Sequence, residues 1–346
     1  MLENFIPSVE TDSEITISVI VAARNEEKRI ANLLSSLISQ SYPSSLFEII
    51  VVNDHSTDFT EKIVQQFSTV KLISLNEPVL NSYKKKAIEV GIAAATGNLI
   101  VTIDADCIAP INWLKTIYAF KKQTNSVFIA APVAIEANNS FLQTFQSLDF
   151  MVLQGITAAS VRLKFHNMCN GANLAYDKSV FYEVDGFFGI DHISSGDDML
   201  LMQKIATKYP NQIQYLHSKD AIVTTSPVKK WKEFFQQRIR WASKATQYRD
   251  KNIFFVLVLV YLLNLSLFIA LIMGFWMQLF WFIFLFACIV KGIIEYLFVY
   301  PVATFFSRKN WMNLLLIYQP AHILYTLITG WLGAFGKFEW KGRSVK

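Results

Sequence analysis

Apolar positions along this chain follow two regimes. In the first two thirds they come in short runs separated by polar turns, and from Ile253 onward they become nearly continuous. Ile15–Val21, Phe47–Val52 and Leu99–Ile103 are β-branched apolar runs of a length that suits strands buried on both faces. Between the first two, Glu26–Gln40 sets Ile30, Leu33, Leu34, Leu37 and Ile38 at helical spacing. Thr57–Phe67 predicts a second helix, with Asp54 or Ser56 available to cap it, and Lys85–Ala95 a third that stops at Thr96-Gly97. Strand and helix alternating in this rhythm imply crossover connections and an α/β domain with a mostly parallel sheet. Ligands of such sheets bind at the carboxyl ends of the strands. Here those ends are Ala22–Glu26, Asn53–Asp58 and Asp104–Asp106, all polar and acidic.

The later regime reads as membrane helices. Ile253–Met273 runs 21 residues without formal charge, and Leu314–Phe335 runs 22, each long enough to cross about 30 Å of hydrocarbon. Phe275–Val290 and Gly292–Phe306 flank Lys291 and predict one or two further spans. If the α/β domain is cytosolic, three spans put the tail of Lys337, Lys341, Arg343 and Lys346 outside. The preference of basic flanks for the cytosol instead asks for an even number of crossings, which splitting 275–306 at Lys291 or a re-entrant segment would provide. Val228–Lys251 carries eight Lys/Arg against two acids, with Trp231, Phe234, Phe235, Ala242 and Ala245 near one helical face. That composition suits a helix in the membrane interface or a juxtamembrane basic collar. The organisation that follows is a domain over 1–227, an interfacial segment over 228–251, transmembrane helices over 252–336 and a basic tail over 337–346.

Composition agrees: 53% of the 346 residues are hydrophobic and 17% charged, which excludes a disordered chain. Residues 1–252 carry 25 Lys+Arg and 25 Asp+Glu, residues 253–346 carry 7 and 2, so the net +5 resides in the apolar end. This argues against nucleic acid as a partner and for membrane lipids. Cys107, Cys169 and Cys288 lack metal-site spacing and read as reduced thiols of a cytosol-facing protein. The N-terminal stretch has neither a basic nor an apolar leader region and does not read as a signal peptide.

Four groups could carry chemistry. Asp104 and Asp106, two residues apart after a strand, can meet a hard divalent ion together with phosphate oxygens, although such triplets also occur by chance in loops. Asp54 follows a strand as well, and Asp58 fits a first-turn helix acid. Asp197 and Asp198 precede the apolar Met199–Ile205 and read equally as a helix start or as a general base for an acceptor hydroxyl. Gln237, Arg238, Arg240 and Trp241 offer an amide, guanidinium groups and an indole that suit a diphosphate and a sugar ring, or an interfacial helix with snorkelling Arg and a headgroup-level Trp.

Taken in order, Ile20–Glu26, Val51–Asp58, Asp104–Asp106, Gly171-Ala172-Asn173, Gly196–Asp198 and Gln237–Trp241 resemble the motifs of a family 2 glycosyltransferase of the membrane-bound, inverting, QxxRW-containing kind. The resemblance covers about residues 15–245. It implies a GT-A (nucleotide-diphospho-sugar transferase) Rossmann-like domain followed by C-terminal transmembrane helices. It also implies that Glu26 and Asp54 contact the donor nucleoside, that Lys84 lies near the nucleotide, that Asp104 contacts the nucleotide and that Asp106 binds Mg²⁺ or Mn²⁺. Asp198 would be the base. Arg240 would lie near the donor diphosphate, with Gly171, Asn173, Gln237 and Trp241 toward the acceptor. Two departures stand out: Arg24 replaces the aromatic of the family's Pro-Ala-Tyr-Asn-Glu, and Asp197-Asp198 replaces the usual Glu-Asp. Trp340-Lys341-Gly342-Arg343 also resembles a C-terminal motif of some polysaccharide synthases.

The expected activity is transfer of a hexosyl or N-acetylhexosaminyl group from a nucleotide sugar, UDP-linked, to a lipid-linked or saccharide acceptor. The expected setting is the cytosolic face of a bacterial plasma membrane. A processive polysaccharide synthase is the rival within enzymes. An inert membrane scaffold or transporter subunit is the rival from another class.

Overall fold

The computed structural model describes residues 3–7, 15–77, 82–137, 140–166, 168–193, 196–243, 251–335, 338–340 and 343–345. The chain forms two compact units: Met1–Glu136 with Ile156–Ser226, and Ala137–Gly155 with Pro227–Lys346. Residues 137–155, within the domain predicted over 1–227, thus pack in the second unit.

The first unit opens with β1 (Ile17–Ala23), α1 (Ile30–Ile38), β2 (Phe47–Asn53), α2 (Thr60–Val64), β3 (Val70–Ser74), α3 (Tyr83–Ala94) and β4 (Leu99–Thr102). It continues with β5 (Cys107–Ile108), α4 (Trp113–Thr124), β6 (Phe128–Ala130) and β7 (Val133–Ile135). After α5 (Phe141–Arg162) come β8 (Leu174–Asp177), α6 (Lys178–Glu183), α7 (Met199–Lys208), β9 (Ile213–Tyr215) and β10 (Val223–Thr225). The main sheet has the order β3-β2-β1-β4-β8-β6-β9. All its pairs are parallel except those of β8, which runs antiparallel to both β4 and β6. A small sheet, β5-β10-β7, lies apart from it. The architecture expected from sequence, an α/β domain with a mostly parallel sheet followed by long apolar helices, is the one observed.

The three apolar runs became buried strands because β-branched residues pack on both faces of a covered sheet. α1 buries Ile30, Leu33, Leu34 and Leu37, but it begins at Ile30, because the Glu26 carbonyl accepts the N–H groups of Arg29 and Ile30 in a preceding turn. α2 likewise starts at Thr60, whose N–H the Asp58 carboxylate accepts at 3.0 Å, so Asp58 rather than Asp54 or Ser56 does the capping. Burial alone would raise the Asp58 carboxyl. Hydrogen bonds from the Thr60 hydroxyl and N–H and from the Glu27 N–H outweigh it and hold Asp58 below its ordinary value. The half-buried edge strand β3 has no counterpart among the predicted elements.

In the second unit, the first turns of α5 pack with α8 (Trp231–Ala242), α9 (Lys251–Met273), α10 (Gln278–Phe305), α11 (Leu314–Ile317) and α12 (Gln319–Phe335). Their core joins Leu142, Phe145, Leu148, Phe234, Val299 and Tyr318. Two of these helices, over Ile253–Met273 and Gln278–Phe305, are long and apolar enough to cross a membrane. α10 is one unbroken helix of 28 residues, not two spans divided at Lys291. Glu295, one turn on, pairs with the Lys291 ammonium at 2.5 Å, and Gln319 bonds both side chains, so the charge that suggested a break is neutralised inside the bundle. The run expected to span over 314–335 is divided at Tyr318, leaving a 17-residue α12. Exposed apolar side chains run from Phe254 to Ile272 on α9 and from Leu279 to Phe298 on α10. β11 (Phe338–Trp340) and β12 (Arg343–Val345) pair as an antiparallel hairpin. Lys337, Lys341, Gly342 and Lys346 of the predicted basic tail lie outside the described residues, as does Ala245.

Candidate active site

The parallel register sets the ends of β1 and β2 level, Ala23 opposite Asn53, while Ile20 stands opposite Thr102 of β4. The loops carrying Glu26, Asp54 and Asp104–Asp106 therefore leave one edge of the sheet side by side. The first two are stitched together. The Asn25 N–H donates to Ser56 Oγ at 3.0 Å, the Thr57 N–H to Asn25 Oδ1 at 2.8 Å, and the Glu26 N–H to Thr60 Oγ1 at 2.7 Å. Arg24, the departure from the family pattern, serves the same end, since its Nη1 donates to the carbonyls of Asp54 and His55. Asn25 and His55 both take a φ of 51°, in the left-handed region, which turns each loop out of its strand. Glu26 and Asp54 are thereby buried, at 8% and 2% exposure, and His55 Nδ1 lies 3.0 Å from Asp54 Oδ1.

Lys84, at the start of α3, is the meeting point of the carboxylates. Its ammonium stands 2.8 Å from Asp104 Oδ1 and 3.1 Å from Asp197 Oδ2. Burial pulls the Lys84 pKa down, but Asp104, Asp197 and Asp198 together drive it above the ordinary lysine value, so the cation is permanent at neutral pH. Asp198 is the N-cap of α7: Oδ1 accepts the Met199 N–H at 2.7 Å and Oδ2 accepts the Gly171 N–H at 3.1 Å. Of the two readings of this pair from sequence, the helix start is realised, and the cap fixes the Asp198 carboxylate in place. Gly171 suits this closeness, because a Cβ there would stand 3.0 Å from Asp197 Oδ2 and 3.2 Å from Lys84 Nζ and would press on both side chains. Sequence therefore named Lys84, Asp104, Gly171 and Asp198, which the fold brings together; Asp197 joins them as the lysine's second counter-ion.

Asp106 is turned toward Arg29 of the turn before α1, Oδ2 lying 3.4 Å from Nη1, with 30% of its side chain exposed. Arg29 carries no motif signal and is 77 residues away, so its role was not visible in the sequence. Among the described residues no group of three or more His, Cys, Asp or Glu could hold a metal ion. The donor set present is a single half-buried hard carboxylate, which fits Mg²⁺ or Mn²⁺ if a bound diphosphate supplies further oxygens. Cys107 beside it is a poor nucleophile: burial, Asp106 and Asp104 push its thiol well above the ordinary value.

Asn173 does not sit as an acceptor contact. It is fully buried, its Oδ1 accepts from Trp113 Nε1 at 2.9 Å, and its Nδ2 donates to the carbonyls of Pro132 and Ala221 at 2.8 Å each. With acceptor and both donors engaged, it braces the strand junctions instead. Gln237, Arg240 and Trp241 all lie on α8 of the second unit.

Acidic strand ends, two of whose carboxylates share the half-buried Lys84, form a polar site at the carboxyl ends of the parallel strands. Residues 18–185 match the family model Glycosyl transferase family 2. Among curated proteins it is similar to the probable glycosyltransferase YdaM of Bacillus subtilis, 28% identical over 242 residues, covering 67% of this chain and 55% of that one. It is also similar to a poly-beta-1,6-N-acetyl-D-glucosamine synthase of Staphylococcus epidermidis, 26% identical over 231 residues, covering 65% of this chain and 53% of that one. The chain thus spans about half the length of these two relatives. Among solved structures, that of S. aureus TarS 1-349 in complex with UDP-GlcNAc superposes with a TM-score of 0.49 at 19% identity, covering 95% of this chain and 96% of that one.

Proposed function

We propose that this chain is a membrane-anchored inverting glycosyltransferase that moves an N-acetylhexosaminyl or hexosyl group from a UDP-sugar to a membrane-held acceptor. The observation that carries the reading is the Lys84 cluster, in which one half-buried cation serves Asp104 at a strand end and Asp197 beside a helix-capping Asp198. Inversion requires a base on the face opposite the leaving group and positive charge near the departing diphosphate. Asp198 takes the proton of the acceptor hydroxyl, its carboxylate aimed by the N–H groups of Gly171 and Met199. Lys84 pairs with Asp104 and Asp197 and offsets the negative charge the nucleotide brings. Asp104, Asp54 and Glu26 line the nucleotide end. A divalent ion held by Asp106 would supply charge neutralisation on the diphosphate. Gln237, Arg240 and Trp241 are assigned to the diphosphate and the acceptor by motif.

Membrane anchoring is supported by the exposed apolar bands of α9 and α10. They cover 18 and 19 residue steps, about 27–29 Å of helix at about 1.5 Å per residue, close to the thickness of a bilayer's hydrocarbon core. The band is flanked by Trp276 and Phe275 at one end and by Tyr300 with Arg308 and Lys309 at the other, as an aromatic and basic border requires. The two candidate spans found among the described residues make an even number, as the basic tail asks. The S. epidermidis relative's name favours an N-acetylglucosaminyl donor and raises polymer synthesis as a second reading. The small number of spans found among the described residues favours addition to a lipid-linked or saccharide acceptor at the cytosolic face.

The test is release of nucleoside diphosphate by the detergent-solubilised protein. UDP- and GDP-sugars are screened with Mg²⁺ or Mn²⁺ and a total membrane lipid extract. Release with one donor, abolished in Asp198→Asn, is the expected result. No release with any donor overturns the reading in favour of an inert scaffold.

A further inference from the structure

α8 carries the QxxRW residues, yet the most deeply placed polar side chain on that helix is the one between them. Arg238 is 4% exposed, and its guanidinium carbon stands 4.2 Å from the Trp241 ring centroid and 4.9 Å from that of Phe234. Its Nη2 lies 2.7 Å from Asp149 Oδ2 of α5. The other carboxylate oxygen, Asp149 Oδ1, accepts a hydrogen bond from Tyr325 Oη of α12 at 2.5 Å. Trp241 also meets Phe150, the neighbour of Asp149, at 5.9 Å. Arg238 Nε, Nη1 and Nη2 are all buried and make no hydrogen bond among the described residues, so Asp149 holds the guanidinium by charge and two aromatic faces take the place that acceptors would fill.

A buried ion pair of this kind adds little net stability over an apolar replacement, because desolvation offsets the attraction. What it does provide is direction. The planar fork of Arg238 is fixed by Asp149, Asp149 by Tyr325, and Trp241 lies against the fixed plane. α12 is itself held at its first residue, where Gln319 bonds Lys291 and Glu295 of α10.

We propose that Arg238, Asp149 and Tyr325 are positioning residues that set the Trp241 indole for acceptor binding. The proposal rests on the reading that Trp241 meets the acceptor. The test compares Tyr325→Phe, Asp149→Asn and Arg238→Lys with the wild-type chain in detergent–lipid micelles. Three quantities are measured: the half-saturating amount of membrane lipid extract in the diphosphate-release assay, the UDP dissociation constant, and the Trp241 emission, taken as the difference from the same variant carrying Trp241→Phe. Tyr325→Phe removes one oxygen and keeps the ring, and unchanged UDP binding certifies that each variant is folded.

The expected result is an acceptor requirement raised about tenfold, UDP affinity within about twofold of wild type, and a shifted Trp241 emission. A lowered melting temperature with unchanged acceptor requirement and unchanged Trp241 emission overturns it, leaving the cluster a structural brace. Should Trp241→Ala itself leave the acceptor requirement unchanged, the underlying assignment of Trp241 fails. The emission then decides the positioning separately: a shift upholds it and no shift overturns it.

Discussion

The Lys84 ammonium stands 3.1 Å from Asp197 Oδ2, so the counter-ion at this end of the site is the acid before the proposed base and not the base itself. The two adjacent acids therefore have separable duties, which a pair of conservative substitutions resolves. Asp198→Asn is expected to lower kcat by about 10²- to 10⁴-fold, as loss of a general base does, while UDP affinity changes little. Asp197→Asn removes a partner of Lys84 and is expected to weaken donor binding more than it lowers kcat. Measuring the UDP dissociation constant and kcat on both variants checks this, and identical profiles would refute the division.

Lys84→Met is expected to be worse than either. It leaves Asp104 and Asp197 facing each other at the sheet edge without their shared cation. Turnover should fall below detection, and UDP affinity should drop because the diphosphate meets uncompensated carboxylates. Retention of wild-type UDP affinity would show that the lysine serves folding alone. Gly171→Ala, which pushes on the same lysine, should show a milder form of the same defect.

Arg29 stands at Asp106, where a divalent ion would bind. Arg29→Ala is expected to lower the Mn²⁺ concentration giving half-maximal activity, because the ion no longer competes with a guanidinium. Its direct check is Mn²⁺ binding followed by electron paramagnetic resonance in the presence of UDP. Tighter binding is expected, and weaker binding would make Arg29 a helper of the ion instead.

Asn173→Ala is expected to act on stability, not on acceptor affinity. Three hydrogen bonds end on its buried amide, and leaving their partners unsatisfied costs about 1–3 kcal/mol each at most. Urea unfolding should reveal the loss. A normal midpoint with a raised acceptor requirement would restore the ligand role that resemblance assigns.

Acid sensitivity follows from Glu48 on β2. Burial raises its carboxyl, but hydrogen bonds from Thr96, Ser18 and Gly97 outweigh it and hold the folded-state pKa below the ordinary 4.5. A depressed carboxylate stabilises the fold above its unfolded pKa and loses that contribution as pH falls through the folded value. Stability should therefore decline as pH drops past about 4.5. Glu48→Gln should lower stability at neutral pH and flatten that decline. An unaltered acid profile in the variant would assign the sensitivity to other groups such as Asp58.

How far the sequence revealed this molecule depended on the range of the interaction concerned. Strand ends were readable because each β-branched run dictates its own burial, and the acidic residues after them inherit their address from that. Helix starts were less so: α1 begins at Ile30 because a backbone turn at Glu26 intervenes, which apolar spacing does not report. The Arg29–Asp106 and Arg238–Asp149 pairs were invisible, since each joins segments far apart in the chain. Arg238 shares a helical face with Phe234 and Trp241, but a charge at that place reads as a solvent-seeking side chain until Asp149 is there to receive it. Lys291 misled in the opposite sense, suggesting an interruption where its helix continues.

The Lys291–Glu295 pair bears on how this chain is made. The two residues are one turn apart on α10, so they neutralise each other as soon as that helix forms. Gln319, the third member, emerges from the ribosome only after α10 is complete. On the membrane-anchored reading, α9 and α10 can enter the lipid as a self-sufficient hairpin. Attachment of α12, and with it the seating of α8, then becomes a late step in biogenesis.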